Sequence, residues 1–286
     1  MQPTGKTTFP PQHQNHQPGM EAMMNPQPQY DNPNYRPAGK LIGKTALITG
    51  GDSGIGRAVA IHYAKEGADI AILYLNEHED AKQTVADVMA LGRVCHAIPV
   101  DLKQEGAATR AVEDAVQRLT KLDILVNNAG AQYPQNSLVD ITREQLMHTF
   151  ESNVFSMFYV TRAALPHMNA GGSIINTASV TAFEGNPRLI DYSATKGAAV
   201  AFTRSLALSL ADGEIRVNAV SPGPVWTPLI VSSFTREEVS KFGTDTPMRR
   251  AAQPCELAPV YVYLGSDDST NVSGQVFHVN SGTVIN

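Results

Sequence analysis

From Thr45 to Val279 the chain alternates short apolar runs with stretches of helical periodicity, and this alternation constrains its fold more than any other feature. The apolar runs cover residues 45–49, 70–74, 94–100, 124–126, 173–177, 215–220 and 275–279. Helical patterns begin at Arg57 and span 80–91, 104–120, 142–168, 191–211 and 256–264. Neighbouring parallel strands need a crossover of a dozen or more residues, usually a helix, and the spacings here match that requirement. The pattern predicts an α/β chain with a single, doubly wound parallel sheet covered by helices on both faces.

Ligands of such sheets collect at the carboxyl ends of the strands, and the distinctive polar motifs fall there. Gly50-Gly51-Asp52-Ser53-Gly54-Ile55-Gly56 follows the first run, Asp101 the third and Asn127-Asn128-Ala129-Gly130 the fourth. Ser179 follows the fifth and Pro222-Gly223 the sixth. A glycine-rich turn can serve tight packing alone. Between a strand and a helix it also lets the backbone approach a pyrophosphate, whose charge the helix N-terminus favours. Pro222-Gly223 is equally compatible with a plain turn.

Residues 1–39 differ from the rest, being rich in Pro, Gln, Asn and His and poor in aliphatic side chains. They read as an extended arm, with a domain over 40–286. Such a segment is not expected to bury a core. His13 and His16 have no cysteine or acidic companions nearby and read as part of a solvated tail, so no metal is expected. Met20, Met23, Met24, Tyr30 and Tyr35 offer apolar points by which the arm would lie along its own or a neighbouring subunit.

The formal charge of −5 and the lack of a Lys/Arg cluster argue against a nucleic-acid partner. No apolar run approaches the length of a membrane span, and the start of the chain is unlike a signal peptide. With two widely separated cysteines, Cys95 and Cys255, a cytoplasmic location is expected.

Tyr192 and Lys196 stand four residues apart in a helical pattern, so their side chains share one face. An ammonium beside a phenol favours the phenolate, which suits a tyrosine to general acid/base work. Many helices carry this pair by chance, but here Ser179 and the other strand-end motifs converge with it.

Together, Thr49-Gly50-x-x-x-Gly54-x-Gly56, Asn127-Asn128-Ala129-Gly130, Asn153, Ser179, Tyr192-x-x-x-Lys196 and Pro222-Gly223 resemble the short-chain dehydrogenase/reductase family from about residue 41 onward. The long arm is similar to that of the bacterial branch containing general stress protein 39. The resemblance implies a Rossmann fold and hydride transfer between NAD or NADP and a small alcohol/carbonyl substrate. Tyr192 would carry the proton, Lys196 would tune it and hold the nicotinamide ribose, and Ser179 would hold the carbonyl oxygen. Asn153 would position a relay water, or else bond neighbouring backbone as a helix-interior asparagine. For the cofactor, the resemblance implies Gly50, Asp52, Ser53, Ile55 and Gly56, with Tyr74 and Leu75 at the end of the second run. Asp101 and Leu102 would meet the adenine, Asn128, Ala129 and Gly130 the ribose side, and Pro222, Gly223, Val225 and Thr227 the nicotinamide.

Tyr74-Leu75-Asn76 shows neither the acid expected for NAD nor the base expected for NADP. Asp52 tips the choice toward NAD by charge repulsion with the extra phosphate. The insertion 222–254 carries Trp226, Leu229, Ile230, Phe234, Phe242 and Met248 and reads as a substrate lid, facing Tyr133-Pro134 and Phe183-Glu184, or as a subunit interface. Ala194, Gly197, Ala198, Ala199 and Ala201 allow close helix approach, and the resemblance implies a homotetramer. The competing function is a catalytically silent NAD(P)-binding regulatory or stress-associated scaffold. A sugar-nucleotide epimerase fits poorly, for want of its glycine spacing and larger C-terminal region.

Overall fold

The computed structural model describes residues 8–283; the first seven residues of the arm and the last three of the chain lie outside the described residues. The strands are β1 (Thr45–Thr49), β2 (Asp69–Tyr74), β3 (Cys95–Pro99), β4 (Ile124–Asn127), β5 (Ser173–Thr177), β6 (Arg216–Pro222) and β7 (Val276–Val279). The helices are α1 (Gly54–Lys65), α2 (His78–Ala90), α3 (Glu105–Leu119), α4 (Arg143–Phe150), α5 (Ser156–Ala164), α6 (Thr181–Glu184) and α7 (Ile190–Leu210). They continue with α8 (Pro228–Ser233), α9 (Arg236–Ser240) and α10 (Pro254–Gly265). The strands form one parallel sheet of seven in the order β3-β2-β1-β4-β5-β6-β7.

The period-two alternation of strand side chains divides the core into two layers. Ala46 and Ile48 of β1 pack with Val59 and Tyr63 of α1 and Leu257 and Tyr261 of α10. Leu47, on the opposite face, joins Val112 and Leu119 of α3, Val160 of α5 and Ala207 of α7. All five residues of β1 are buried, as a central strand covered on both faces requires. Truncating one such side chain, as in Ile48→Ala, costs about 2–5 kcal/mol through lost transfer energy and the cavity left behind.

The single helix expected over 142–168 is broken. Between α4 and α5, Glu151–Phe155 forms a π-helical turn, and a 3-10 turn, Leu165–His167, follows α5. An i to i+5 turn adds a residue to the helix and rotates the turns beyond it, and such turns recur at functional sites. Here the turn carries Asn153.

The insertion 222–254 is also more ordered than a loop. It folds into α8 and α9, the latter opened by a capping box between Thr235 and Glu238. The apolar residues Trp226, Ile230, Val231 and Val239 pack with Phe9 and Met24 of the arm. Phe9 stacks on Trp226 with centroids 3.7 Å apart and planes 4° from parallel. The arm therefore contributes to a core, contrary to its composition: it builds none of its own, but a few anchors fill one made mostly by the insertion. His13 belongs to this docking too, its Nδ1 lying 2.8 Å from the Phe234 carbonyl oxygen. Met20–Met24 continue over α1 and α2, where Asp80 accepts hydrogen bonds from the Glu21 and Ala22 amides at 2.6 and 3.2 Å.

Candidate active site

The first βα turn is shaped by contacts that leave no room for side chains. Gly50 has φ +61°, and a Cβ on Gly56 would fall 1.9 Å from the Gly50 carbonyl oxygen, so only glycine fits there. Thr49 Oγ1 accepts from the Asn128 and Ala129 amides at 2.9 and 3.0 Å, and Asn128 Nδ2 reaches the Gly50 carbonyl at 3.2 Å. These bonds tie the glycine turn to the end of β4. The Gly54 N–H donates to Glu21 of the arm at 2.6 Å, and Glu21 is ion-paired with buried Arg57 at 2.5 Å.

Helix α7 presents Tyr192 and Lys196 one turn apart, both buried. Its first turn is anchored by Asp191, which accepts from Thr149 at 2.8 Å, Gln145 at 3.1 Å and the Tyr192 amide at 2.9 Å. Lys196 Nζ donates to the Thr177 carbonyl at the end of β5, at 2.8 Å, and lies 5.5 Å from the Tyr192 ring centroid. The Ser179 hydroxyl, in the loop after β5, acts on the Tyr192 phenol in the direction that favours the phenolate. Burial outweighs this. It pushes the phenol up to about 12 and the Lys196 ammonium down to about 8. Against expectation, the phenol is thus raised rather than lowered, because removing a charge from water costs more here than its neighbours return.

Asn153 does not bond its own helix. Its Oδ1 accepts from the Ala131 amide at 2.8 Å, and its Nδ2 donates to the Ala131 carbonyl at 2.8 Å and to Thr195 Oγ1 at 3.1 Å. The π turn thereby joins the loop after β4 to α7. Beside it lies a small cavity of about 10 Å³, lined by Asn153, Lys196, Thr177, Ser156 and Asn127 among others. That is near the lower limit for one water.

A cleft of about 980 Å³ runs from the glycine turn past Tyr192 to the insertion. Of the residues expected there, Gly50, Asp52, Ser53, Ile55, Tyr74, Leu75, Asp101, Leu102, Asn128, Ala129, Gly130, Ser179, Tyr192, Lys196, Pro222, Gly223, Val225 and Thr227 line it. Gly56 does not, being packed beneath the turn, and Asn153 faces the small cavity instead. Tyr133 and Glu184 also line the cleft, whereas Phe183 packs edge-on against His278. Arg188 is ion-paired with Glu238 of α9.

Three contributions escaped the sequence reading. Gln17, Pro18 and Gly19 of the arm line the cleft, whereas the docking expected of the arm rested on its Met and Tyr residues. Glu77, three residues beyond β2, also lines it. Burial, with the Glu77 carboxylate adding to it, pushes the Asp52 carboxyl up to about 7. Lys103 adds a cation near Asp101, 3.7 Å away. Among the described residues, no group of His, Cys, Asp and Glu could hold a metal, and no helix is long and apolar enough to cross a membrane.

A parallel sheet in this order, with a glycine-rich turn opening α1 and a Ser–Tyr–Lys wall beside the cleft, defines a dinucleotide-type Rossmann protein. Residues 50–284 match the family described as enoyl-(acyl carrier protein) reductase. The chain belongs to the short-chain dehydrogenase/reductase family. It is 54% identical to general stress protein 39 of Bacillus subtilis over 277 residues, covering 97% of each. It is 49% identical to glucose and ribitol dehydrogenase of Daucus carota over 285 residues, 97% of this chain and 98% of that one. A short-chain dehydrogenase from Burkholderia cenocepacia in complex with NADP superposes with a TM-score of 0.81 at 31% identity, covering 85% of this chain and 99% of its own. One from Mycobacterium paratuberculosis bound to NAD gives 0.77 at 32% identity, covering 85% of this chain and 98% of its own.

Proposed function

We propose that the protein is an NAD(P)-dependent oxidoreductase that transfers a hydride between the nicotinamide and a small alcohol/carbonyl pair, with Tyr192 as general acid/base. One observation carries this reading: Ser179, Tyr192 and Lys196 line one wall of a cleft that begins at a glycine turn shaped for close backbone approach. The cleft volume and the first turn of α1 suit a dinucleotide, and Lys196 retains N–H donors beyond its bond to Thr177 for a ribose.

A bound reduced nicotinamide would supply the hydride to the carbonyl carbon. Ser179 donates a hydrogen bond to the carbonyl oxygen, where negative charge develops. Tyr192 gives that oxygen its proton. With the phenol neutral and the ammonium charged near pH 7, the wall is set to donate a proton, which favours carbonyl reduction. Lys196 steadies the phenolate left behind. A water held by Asn153 and Lys196 in the small cavity would return the proton.

Asp52 and Glu77 both line the cleft near the end of β2. Their charge favours NAD over NADP, which carries a further phosphate, though Asp52 near 7 is only partly ionised at neutral pH. The insertion is the substrate lid. Glu184, Asn186, Asp245 and Thr246 give the cleft polar groups there. With the carrot relative named a glucose and ribitol dehydrogenase, sugars, polyols and short aldehydes head the substrate panel. The exposed Ala194 and Ala201 on α7 and half-exposed Phe158 on α5 suit pairing into a homotetramer, checked by light scattering. We assign the protein to the cytoplasm and place the division between arm and domain near residue 40. The function is tested by assaying alcohols and carbonyls with both cofactors by nicotinamide absorbance. Turnover of one pair supports the reading; turnover of none, with cofactor bound, favours the scaffold.

A further inference from the structure

We infer that the N-terminal arm is a strap that closes the active-site cleft, with Gln17 as a positioning residue for the lid. This rests on the cleft being a nicotinamide-cofactor site. Gln17 pairs with Gln132 in both directions, its Nε2 donating to the Gln132 carbonyl at 3.0 Å and its Oε1 accepting from the Gln132 amide at 2.9 Å. Its Nε2 also reaches Ser233 Oγ at the end of α8, at 3.1 Å. One arm side chain thus links the loop after β4 to the lid helix.

The strap is fastened on either side of Gln17. Upstream, the Gln14 amide donates to the Val231 carbonyl of α8 at 2.7 Å, and Phe9 covers Trp226. Downstream, the Pro26 carbonyl accepts from Trp226 Nε1 at 2.9 Å, and Glu21 accepts from the Gly54 amide in the glycine turn at 2.6 Å. Trp226 sits between Val225 and Thr227, both of which line the cleft. A Cβ on Gly54 would lie 3.1 Å from Thr227 Cγ2, so the glycine turn and the root of the lid are already in near contact. The arm holds both at once, and cofactor held between them must gain from the arm being docked; by linkage, the docked arm gains equally from cofactor. The solved relatives cover nearly all of their own length but 85% of this chain, and an arm of this size accounts for the remainder.

Trp226 is the only tryptophan and is fully buried, so its emission reports the arm directly. Full-length wild type, Q17A and the double variant F9A/Q17A are titrated with NADH and with NADPH, following Trp226 emission and nicotinamide fluorescence. The double variant should shift Trp226 emission to the red and weaken binding of the better cofactor roughly tenfold, while Q17A raises KM more than it lowers kcat. Saturating cofactor should return part of the shift. An unmoved Trp226 in the double variant overturns the strap, as does a red shift with cofactor affinity within twofold of wild type. Trypsin cutting after Arg236 and Lys241 of the lid provides a readout that needs no cofactor. It should accelerate roughly tenfold in the double variant, and an unchanged rate overturns the strap. Failure of wild type to bind either cofactor would instead overturn the functional reading, with the strap then judged by proteolysis and Trp226 emission alone.

Discussion

The two walls of the cleft are built in different ways. The wall proposed to be catalytic is fixed to the sheet: Lys196 bonds the end of β5, Asn128 ties the glycine turn to β4, and Asn153 holds the loop after β4 to α7. The opposite wall is assembled from segments about 200 residues apart in sequence, the arm and the insertion, joined by the Phe9–Trp226 stack and a few hydrogen bonds to the arm. Groups proposed for chemistry that tolerates little misplacement are held by the sheet, and the proposed closure falls to segments docked outside it. Substitutions on the first wall should therefore act on kcat, and those on the second on KM and cofactor affinity.

The largest effect that would break this division is at Lys196. Lys196→Met should lower kcat by about two to three orders of magnitude, in the range of lost acid/base assistance. In wild type, carbonyl reduction should hold steady through neutral pH and fall as the pH rises past about 8, where the ammonium loses its proton. That break should vanish in the variant, as a pH–rate profile would reveal. Ser179→Ala should cost about 100-fold in kcat with little change in cofactor affinity, measured by steady-state kinetics and nicotinamide fluorescence.

A smaller loss is expected at Asn153. Asn153→Ala leaves the Ala131 amide and carbonyl without their buried partner, destabilising the fold by about 1–3 kcal/mol in urea unfolding and slowing turnover roughly tenfold. If turnover falls without loss of stability, the relay role outweighs the bracing. The mildest prediction sharpens the cofactor choice: D52N/E77Q should move the NAD:NADP ratio of kcat/KM roughly fivefold toward NADP, with kcat for NAD nearly intact.

The same division governs how much was legible in the sequence. Strands and helices announce themselves by periodicity, so the sheet and the residues at its carboxyl ends could be placed from the chain alone. Asn153 was visible as a residue but its setting was not, because a π turn differs from an α turn by one residue and leaves no periodic mark. The phenol's raised pKa was hidden because burial depends on packing that spacing does not encode. Phe9, Gln17 and Glu21 were hidden for another reason. In a segment poor in apolar residues, a single aromatic or glutamate has no pattern around it, and its partner Trp226 or Gly54 is found only once the chain has folded.

The central claim is that Tyr192 is the proton carrier beside a bound nicotinamide. It is tested most directly by single-turnover reduction of an active carbonyl substrate in wild type and Tyr192→Phe, with cofactor affinity measured on the same preparations. A loss of about 1,000-fold or more in the hydride-transfer rate, with cofactor affinity within twofold, is the expected result. A Tyr192→Phe protein that reduces the substrate at a rate near wild type would contradict it.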